Sequence, residues 1–209
     1  DNDGLNTSSK LKFNYADEIR GEIDIDNNNN IYVVSSTFSD DLPVSPNSFQ
    51  PNLKGFQDGC IIKMDNQLST IIWASYIGGD KDDAAYSLQI DSDDNLYVTG
   101  GTVSDNFPTT PLAFNTSYND SINADAFVSK IDKDGLSLLS STFFGSEKYD
   151  QSYFIEMNKS NQIYILGQTK ADSTLLTFNS NYYIEDGGQF IAVFDNGLQN
   201  LLRSTMIGS

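Results

Sequence analysis

Asp91-Ser92-Asp93-Asp94-Asn95-Leu96-Tyr97-Val98-Thr99-Gly100-Gly101-Thr102 is the stretch on which the fold turns. Its polar opening reads as a turn, and the residues from Leu96 onward read as a short strand. The core of that strand, Asn95-Leu96-Tyr97-Val98, returns as Asn30-Ile31-Tyr32-Val33 and as Gln162-Ile163-Tyr164-Ile165, with the tyrosines 65 and then 67 residues apart. A second landmark, Ser75-Tyr76-Ile77-Gly78-Gly79, is echoed by Thr142-Phe143-Phe144-Gly145-Ser146 and by Thr205-Met206-Ile207-Gly208-Ser209. A third is the strand that ends at Asp65, Asp132 and Asp195 just before a turn. Landmarks that keep one order in three copies define a repeat, and a repeat has to be read before anything else.

Working outward through the middle copy, Tyr86 to Asp91 reads as a first strand and Leu96 to Thr102 as a second. A long connection runs from Val103 to about Ala124, Asp125 to Asp132 is the third strand and Leu138 to Phe144 the fourth. Between the last two, Lys133-Asp134-Gly135 is a tight turn with Gly available for positive φ. The other copies place turns at Asn27 to Asn30, Asp65-Asn66-Gln67 and Asp195-Asn196-Gly197. A four-stranded antiparallel sheet of this size cannot cover both its faces and must lean on its neighbours, so the pattern predicts an all-β chain of β-propeller blades. The segments are 17–80, 81–147 and 148–209, one blade each, with 1–16 an N-terminal segment whose Lys10 to Tyr15 reads as a strand of a preceding or closing blade. About three blades are fewer than the four to eight that close a ring, so a larger ring of roughly six to eight blades is expected, with its remaining blades as packing partners. Asp1 at the start, in place of Met, is read as a processed or excised end.

Within the third strand, Cys60, Phe127 and Phe190 stand at equivalent positions, five residues before the recurring acid. Cys60 is therefore read as a small core hydrophobe. As the sole cysteine it allows no internal disulfide, and with no His in the chain the usual Ser-His and Cys-His triads and the common zinc sites are excluded. Twelve basic residues among 29 acidic ones, a formal charge of −17, exclude a nucleic-acid partner and disfavour anionic membrane surfaces. No apolar run has the roughly 20 residues needed to cross a bilayer, so no membrane insertion is expected.

The middle copy, with its Asp91–Thr102 stretch, Asn106-Phe107-Pro108-Thr109-Thr110, Asp125-Ala126-Phe127-Val128-Ser129-Lys130-Ile131-Asp132-Lys133-Asp134-Gly135 and Ser141-Thr142-Phe143-Phe144-Gly145, resembles the bacterial β-propeller repeat called SBBP. The first copy keeps Leu42-Pro43 in place of Phe107-Pro108. The third departs furthest, with Val193 where Lys63 and Lys130 stand and Gly188 where Asp58 and Asp125 stand. The resemblance implies an exported, cell-surface bacterial protein without enzymatic activity, of a kind common in Bacteroidetes chains carried by the type IX secretion system. The alternative it leaves is a propeller enzyme, a glycosidase or lyase acting on extracellular polysaccharide.

Three groups of residues are candidates for function. Acidic turns, Asp24-Asp26-Asn28 and Asp91-Asp93-Asn95, alternate oxygens as calcium loops do. They have neither the central Gly nor the closing Glu of an EF-hand, so the expectation is no cofactor, with calcium as the one cation to consider. Asp1-Asn2-Asp3-Gly4 is a similar hint. Asp82-Asp83 and Asp150, with Glu18 at the matching place in the first copy, could supply paired acids, but a feature present in every blade speaks for architecture. The long connections, 38–57, 103–124 and 170–187, share one face and form the expected contact surface for a protein or glycan. Phe49 and Phe114 recur in register and are read as pinning each loop to its blade, whereas the unmatched Tyr118, Tyr182 and Tyr183 are the partner-contact candidates. Asp120-Ser121-Ile122 and Asp172-Ser173-Thr174 resemble the O-glycosylation acceptor of exported Bacteroidetes proteins, at Ser121 and Ser173.

Overall fold

The structure, a computed structural model, describes residues 21–118, 123–172 and 176–208. Among them every regular element is a strand. Blade 1 holds β1 (Glu22–Ile25), β2 (Ile31–Thr37), β3 (Asp58–Met64) and β4 (Ile71–Ile77). Blade 2 holds β5 (Asp83–Ile90), β6 (Leu96–Thr102), β7 (Asp125–Ile131) and β8 (Leu138–Phe144). Blade 3 holds β9 (Asp150–Met157), β10 (Ile163–Thr169), β11 (Gln189–Phe194) and β12 (Leu201–Ile207). Each is an antiparallel four-stranded sheet in sequence order, and the three are not closed into a ring. The first strand of blade 2 begins at Asp83, three residues before the expected Tyr86, because Asp83 itself is buried at a blade junction and pairs with Thr102.

Residues at equivalent places give equivalent geometry. The turn between first and second strands is closed by Asp26, Asp91 or Asn158, whose Oδ1 accepts from main-chain N–H groups two and four residues on at 2.8–3.0 Å. Asn29, Asp94 and Asn161 take the positive φ that such a turn needs and that Asn and Asp tolerate. In the turn between third and fourth strands the left-handed residue is Leu68, Gly135 or Leu198. In the third blade it is thus Leu198, not its neighbour Gly197, that carries positive φ. A bulge follows in every blade, at Lys63/Met64, Lys130/Ile131 and Val193/Phe194.

The core lies between blades, not inside them. Tyr32, Val34, Ile61 and Ile77 of blade 1 meet Leu88, Leu96, Val98 and Phe127 of blade 2. Tyr97, Val128 and Phe144 of blade 2 meet Ile155, Ile163, Ile165 and Phe190 of blade 3. Each such side chain contributes roughly 1.5–3 kcal/mol when fully buried, so neighbouring blades stabilise one another more than any sheet stabilises itself. Cys60 is buried in this arrangement and burial pushes its thiol up to about 11, which makes it a packing residue.

Candidate functional site

The long connections are held in place by main-chain hydrogen bonds to the outer strand of their own blade. Ala74, Ser141 and Ser204 accept from Ser45, Thr110 and Phe178, while Tyr76 and Phe143 donate to Gln50 and Asn115 and Met206 accepts from Ile184, all at 2.9–3.1 Å. Each loop therefore covers an edge strand that would otherwise offer unpaired groups to another chain. Phe49 and Phe114 do more than pin a loop to its own blade. Phe49 N–H donates to the Gly135 carbonyl of blade 2 and Phe114 N–H to the Leu198 carbonyl of blade 3. The Phe114 ring also meets Phe194 of blade 3. The loop staples its blade to the next one, which corrects the expectation from sequence.

The repeated acids are buried latches. Asp58 accepts from the N–H groups of Lys54 and Gly55 and from the Gln50 amide at 2.9–3.0 Å, fixing the end of the long connection. Asp83 Oδ2 accepts from Gly79 N–H at 2.6 Å and from the Ser104 hydroxyl at 2.9 Å, fixing the link into blade 2. Both close on Gly78, where a Cβ would stand 2.6 Å from Asp58 and 2.8 Å from Asp83, so only Gly fits between them. Asp125 and Asp150 close on Gly145 in the same way, at 2.8 and 3.0 Å, across the next junction. Burial pushes Asp83 up to about 8, with the Asp58 charge adding to it. Asp58 is raised as well, by burial. Four fully buried carboxyl groups spread over two junctions have no room for a sugar between them. The Asp82 main-chain carbonyl accepts from Val103 N–H, and Glu18 lies outside the described residues.

The acidic turns engage their own oxygens. Beyond the turn amides, Asp26 Oδ2 pairs with Lys63 at 3.2 Å and Asp91 Oδ2 with Lys130 at 2.9 Å. Both ammonium groups also stand over tyrosine rings, Lys63 over Tyr32 at 4.7 Å and Lys130 over Tyr97 at 4.8 Å. Burial pushes both acids up, but the hydrogen bonds win and leave Asp26 and Asp91 below the usual carboxylate range. Among the described residues no three acids, His or Cys gather as a metal site would require. Asp1 to Gly4 lie outside the described residues.

The aromatic candidates separate. Tyr118 turns inward, its ring on Phe143 at 5.8 Å and its hydroxyl donating to the Asn123 carbonyl, so it packs the loop onto the core. Tyr182 and Tyr183 face outward, 61% and 49% exposed, beside the exposed Ile184 and Phe178. Their backbone is fixed, since the Tyr182 carbonyl accepts from Ser180 and Thr205 and Ile184 N–H donates to Met206. Phe56 is also exposed, against Phe38 at 5.1 Å. Ser121 and Ser173 lie outside the described residues. A groove of about 460 Å³ runs along the rim between blades 2 and 3, lined by Leu112, Lys130, Leu139, Ser140, Asn196 and Gln199.

Residues 72–108 match the model of SBBP, a beta-propeller repeat. The matched unit starts in β4 of blade 1, crosses the Gly78 latch and Asp83, and ends at Phe107-Pro108 after β6. It is thus a blade junction, not a blade. No curated protein matches the chain.

Proposed function

We propose that the chain is a non-enzymatic propeller module of an exported bacterial surface protein, with the type IX system as its route and a protein or glycan as the partner of its loop-bearing face. One observation carries this reading: Tyr182 and Tyr183 expose their rings from a loop whose backbone is held by hydrogen bonds to β12. Rigid, amphipathic aromatics give a large contact area for little lost entropy, which suits recognition. The acids that a glycosidase or lyase would need are buried as latches, which supports binding over turnover. The test pairs two measurements on the purified chain. Arrayed surface glycans and intact cells of the source bacterium should retain it, and Tyr182→Ala with Tyr183→Ala together should weaken retention at least tenfold. Release of reducing ends from a panel of polysaccharides, lost in Asp83→Asn, would sink the proposal.

A further inference from the structure

The joints between blades differ at their outer edge, and the second carries a groove where the first holds an indole. Between blades 1 and 2, Trp73 is 3% exposed, its ring edge-on to Tyr32 at 6.1 Å and its Nε1 donating to the Lys133 carbonyl at 3.0 Å. Strand register puts Ser140 of blade 2 at the place of Trp73, since Lys63 pairs with Trp73 and Lys130 with Ser140. The Ser140 hydroxyl donates to the Gly197 carbonyl, and a groove of about 460 Å³ opens beside it. That size falls within the roughly 300–1,000 Å³ of ligand sites. Leu198, at the turn position of Gly135, is fully buried and does not line the groove, so the opening lies outside the packed joint.

The lining indicates what would enter. Leu112 and Leu139 are 74% and 47% exposed. Loop register, fixed by Ser45 N–H on the Ala74 carbonyl and Thr110 N–H on that of Ser141, puts Leu112 where the first blade has Asn47. The groove thus gains an exposed apolar side chain in the blade that lacks the tryptophan. Lys130 lines it too, but its ammonium is held by Asp91 at 2.9 Å and stands over Tyr97, so no anion is called for. Among the described residues the lining has no aromatic ring on which a sugar could stack. Acceptors for an indole N–H are present in the Ser140 hydroxyl and in the side-chain carbonyls of Asn196 and Gln199. The surroundings are acidic, with Asp195 next to Asn196 and a formal charge of −17 on the chain, which favours basic residues beside the entering ring. We propose that this groove is a docking site for a tryptophan side chain of a partner protein, carried on a segment with basic residues flanking it. A buried indole supplies a large apolar area with one polar handle, which is why tryptophan is enriched among the anchors of interfaces. Tyr182 and Tyr183 do not line the groove, so the inference stands apart from the loop-face contact.

The experiment titrates the full chain into a lysine-tryptophan-lysine peptide, capped at both ends and fluorinated on its indole, and follows the fluorine NMR signal. A saturable shift with a dissociation constant of roughly 0.1–1 mM is expected, weak because one side chain carries most of the contact. The unlabelled peptide should compete, the same peptide with alanine for tryptophan should not, and glutamates in place of the lysines should weaken binding at least fivefold. Leu112→Asn, which restores the residue of the first blade, together with Leu139→Asn should weaken binding at least tenfold. Both positions are exposed, so the melting curve should stay that of a folded protein. The absence of a saturable shift up to about 10 mM peptide would overturn the proposal, as would a shift that survives the double change. Equal binding of the glutamate peptide would overturn it too, and displacement of the tryptophan peptide by neutral oligosaccharides would give the groove to a glycan instead.

Discussion

The two blade junctions share one plan and are filled from opposite sides. Between blades 1 and 2 the outer strand supplies Trp73 and the facing turn supplies Gly135, whose missing side chain leaves room for the indole: a Cβ would stand 2.5 Å from it. Between blades 2 and 3 the outer strand supplies only Ser140, and the turn supplies the fully buried Leu198. The carbonyl of the turn is still claimed, by Trp73 at Lys133 in one junction and by the Tyr97 hydroxyl at Asn196, 2.7 Å, in the other. What the repeat keeps is the hydrogen bond of the joint, while the residues that provide it change places.

The comparison breaks most visibly if those residues are exchanged. Trp73→Ala should cost about 3–5 kcal/mol in urea unfolding, as large-to-small core changes do. Ser140→Trp should cost roughly 1–3 kcal/mol on its own, because Leu198 stands at the turn position where Gly135 leaves room for Trp73. Ser140→Trp with Leu198→Gly rebuilds the first junction inside the second and should be more stable than the sum of the single changes predicts. A double-mutant cycle with no coupling would show that the two joints are not alternatives of one design.

A smaller effect concerns what both joints share, the buried acids. Asp83 has its folded pKa raised to about 8, well above the unfolded value of about 3.9, so its contribution is complete below about pH 4 and is lost as pH rises toward 8. Asp26 and Asp91 run the other way: their folded values are depressed, and their contribution is lost as pH falls below the unfolded value. Unfolding free energy should therefore peak in mild acid and decline by an amount on the order of a few kcal/mol between about pH 5 and 8, with the melting temperature falling alongside it. Asp83→Asn, which keeps the shape without the charge, should flatten the alkaline decline. A melting temperature that is level over that range in the unmodified chain would remove Asp83 from the joint's electrostatics.

The difference between local and through-space information explains what could be read in advance. The strand pattern, the turn positions and the buried third-strand row of Cys60, Phe127 and Phe190 were legible because each recurs within one short stretch. The staples formed by Phe49 and Phe114 were half legible: their register showed a fixed role, but the carbonyls they bond belong to the next blade and leave no trace nearby. The latches at Gly78 and Gly145 were hidden for the same reason, since each joins acids about 25 residues apart that only the stacking brings together. Tyr118, which has no counterpart in the other copies, packs against Phe143, since an unmatched residue can fill a local gap as readily as it can face a partner. Tyr182 and Tyr183 are unmatched too, and they do face outward.

The smallest effect distinguishes two leucines with one backbone conformation. Leu68 and Leu198 have φ of 56° and 55°, a region that costs an L-residue with a Cβ about 1–2 kcal/mol. Leu198 recovers that cost by packing against blade 2, whereas Leu68 is 64% exposed. Leu68→Gly should therefore raise stability by about 0.5 kcal/mol, the strain relieved less the added freedom of Gly in the unfolded chain. The melting temperature should rise by roughly 1–2 °C. The equivalent Leu198→Gly should instead lower stability, because that side chain is fully buried at a joint. A stabilisation at both positions would show that packing does not offset the backbone strain at Leu198.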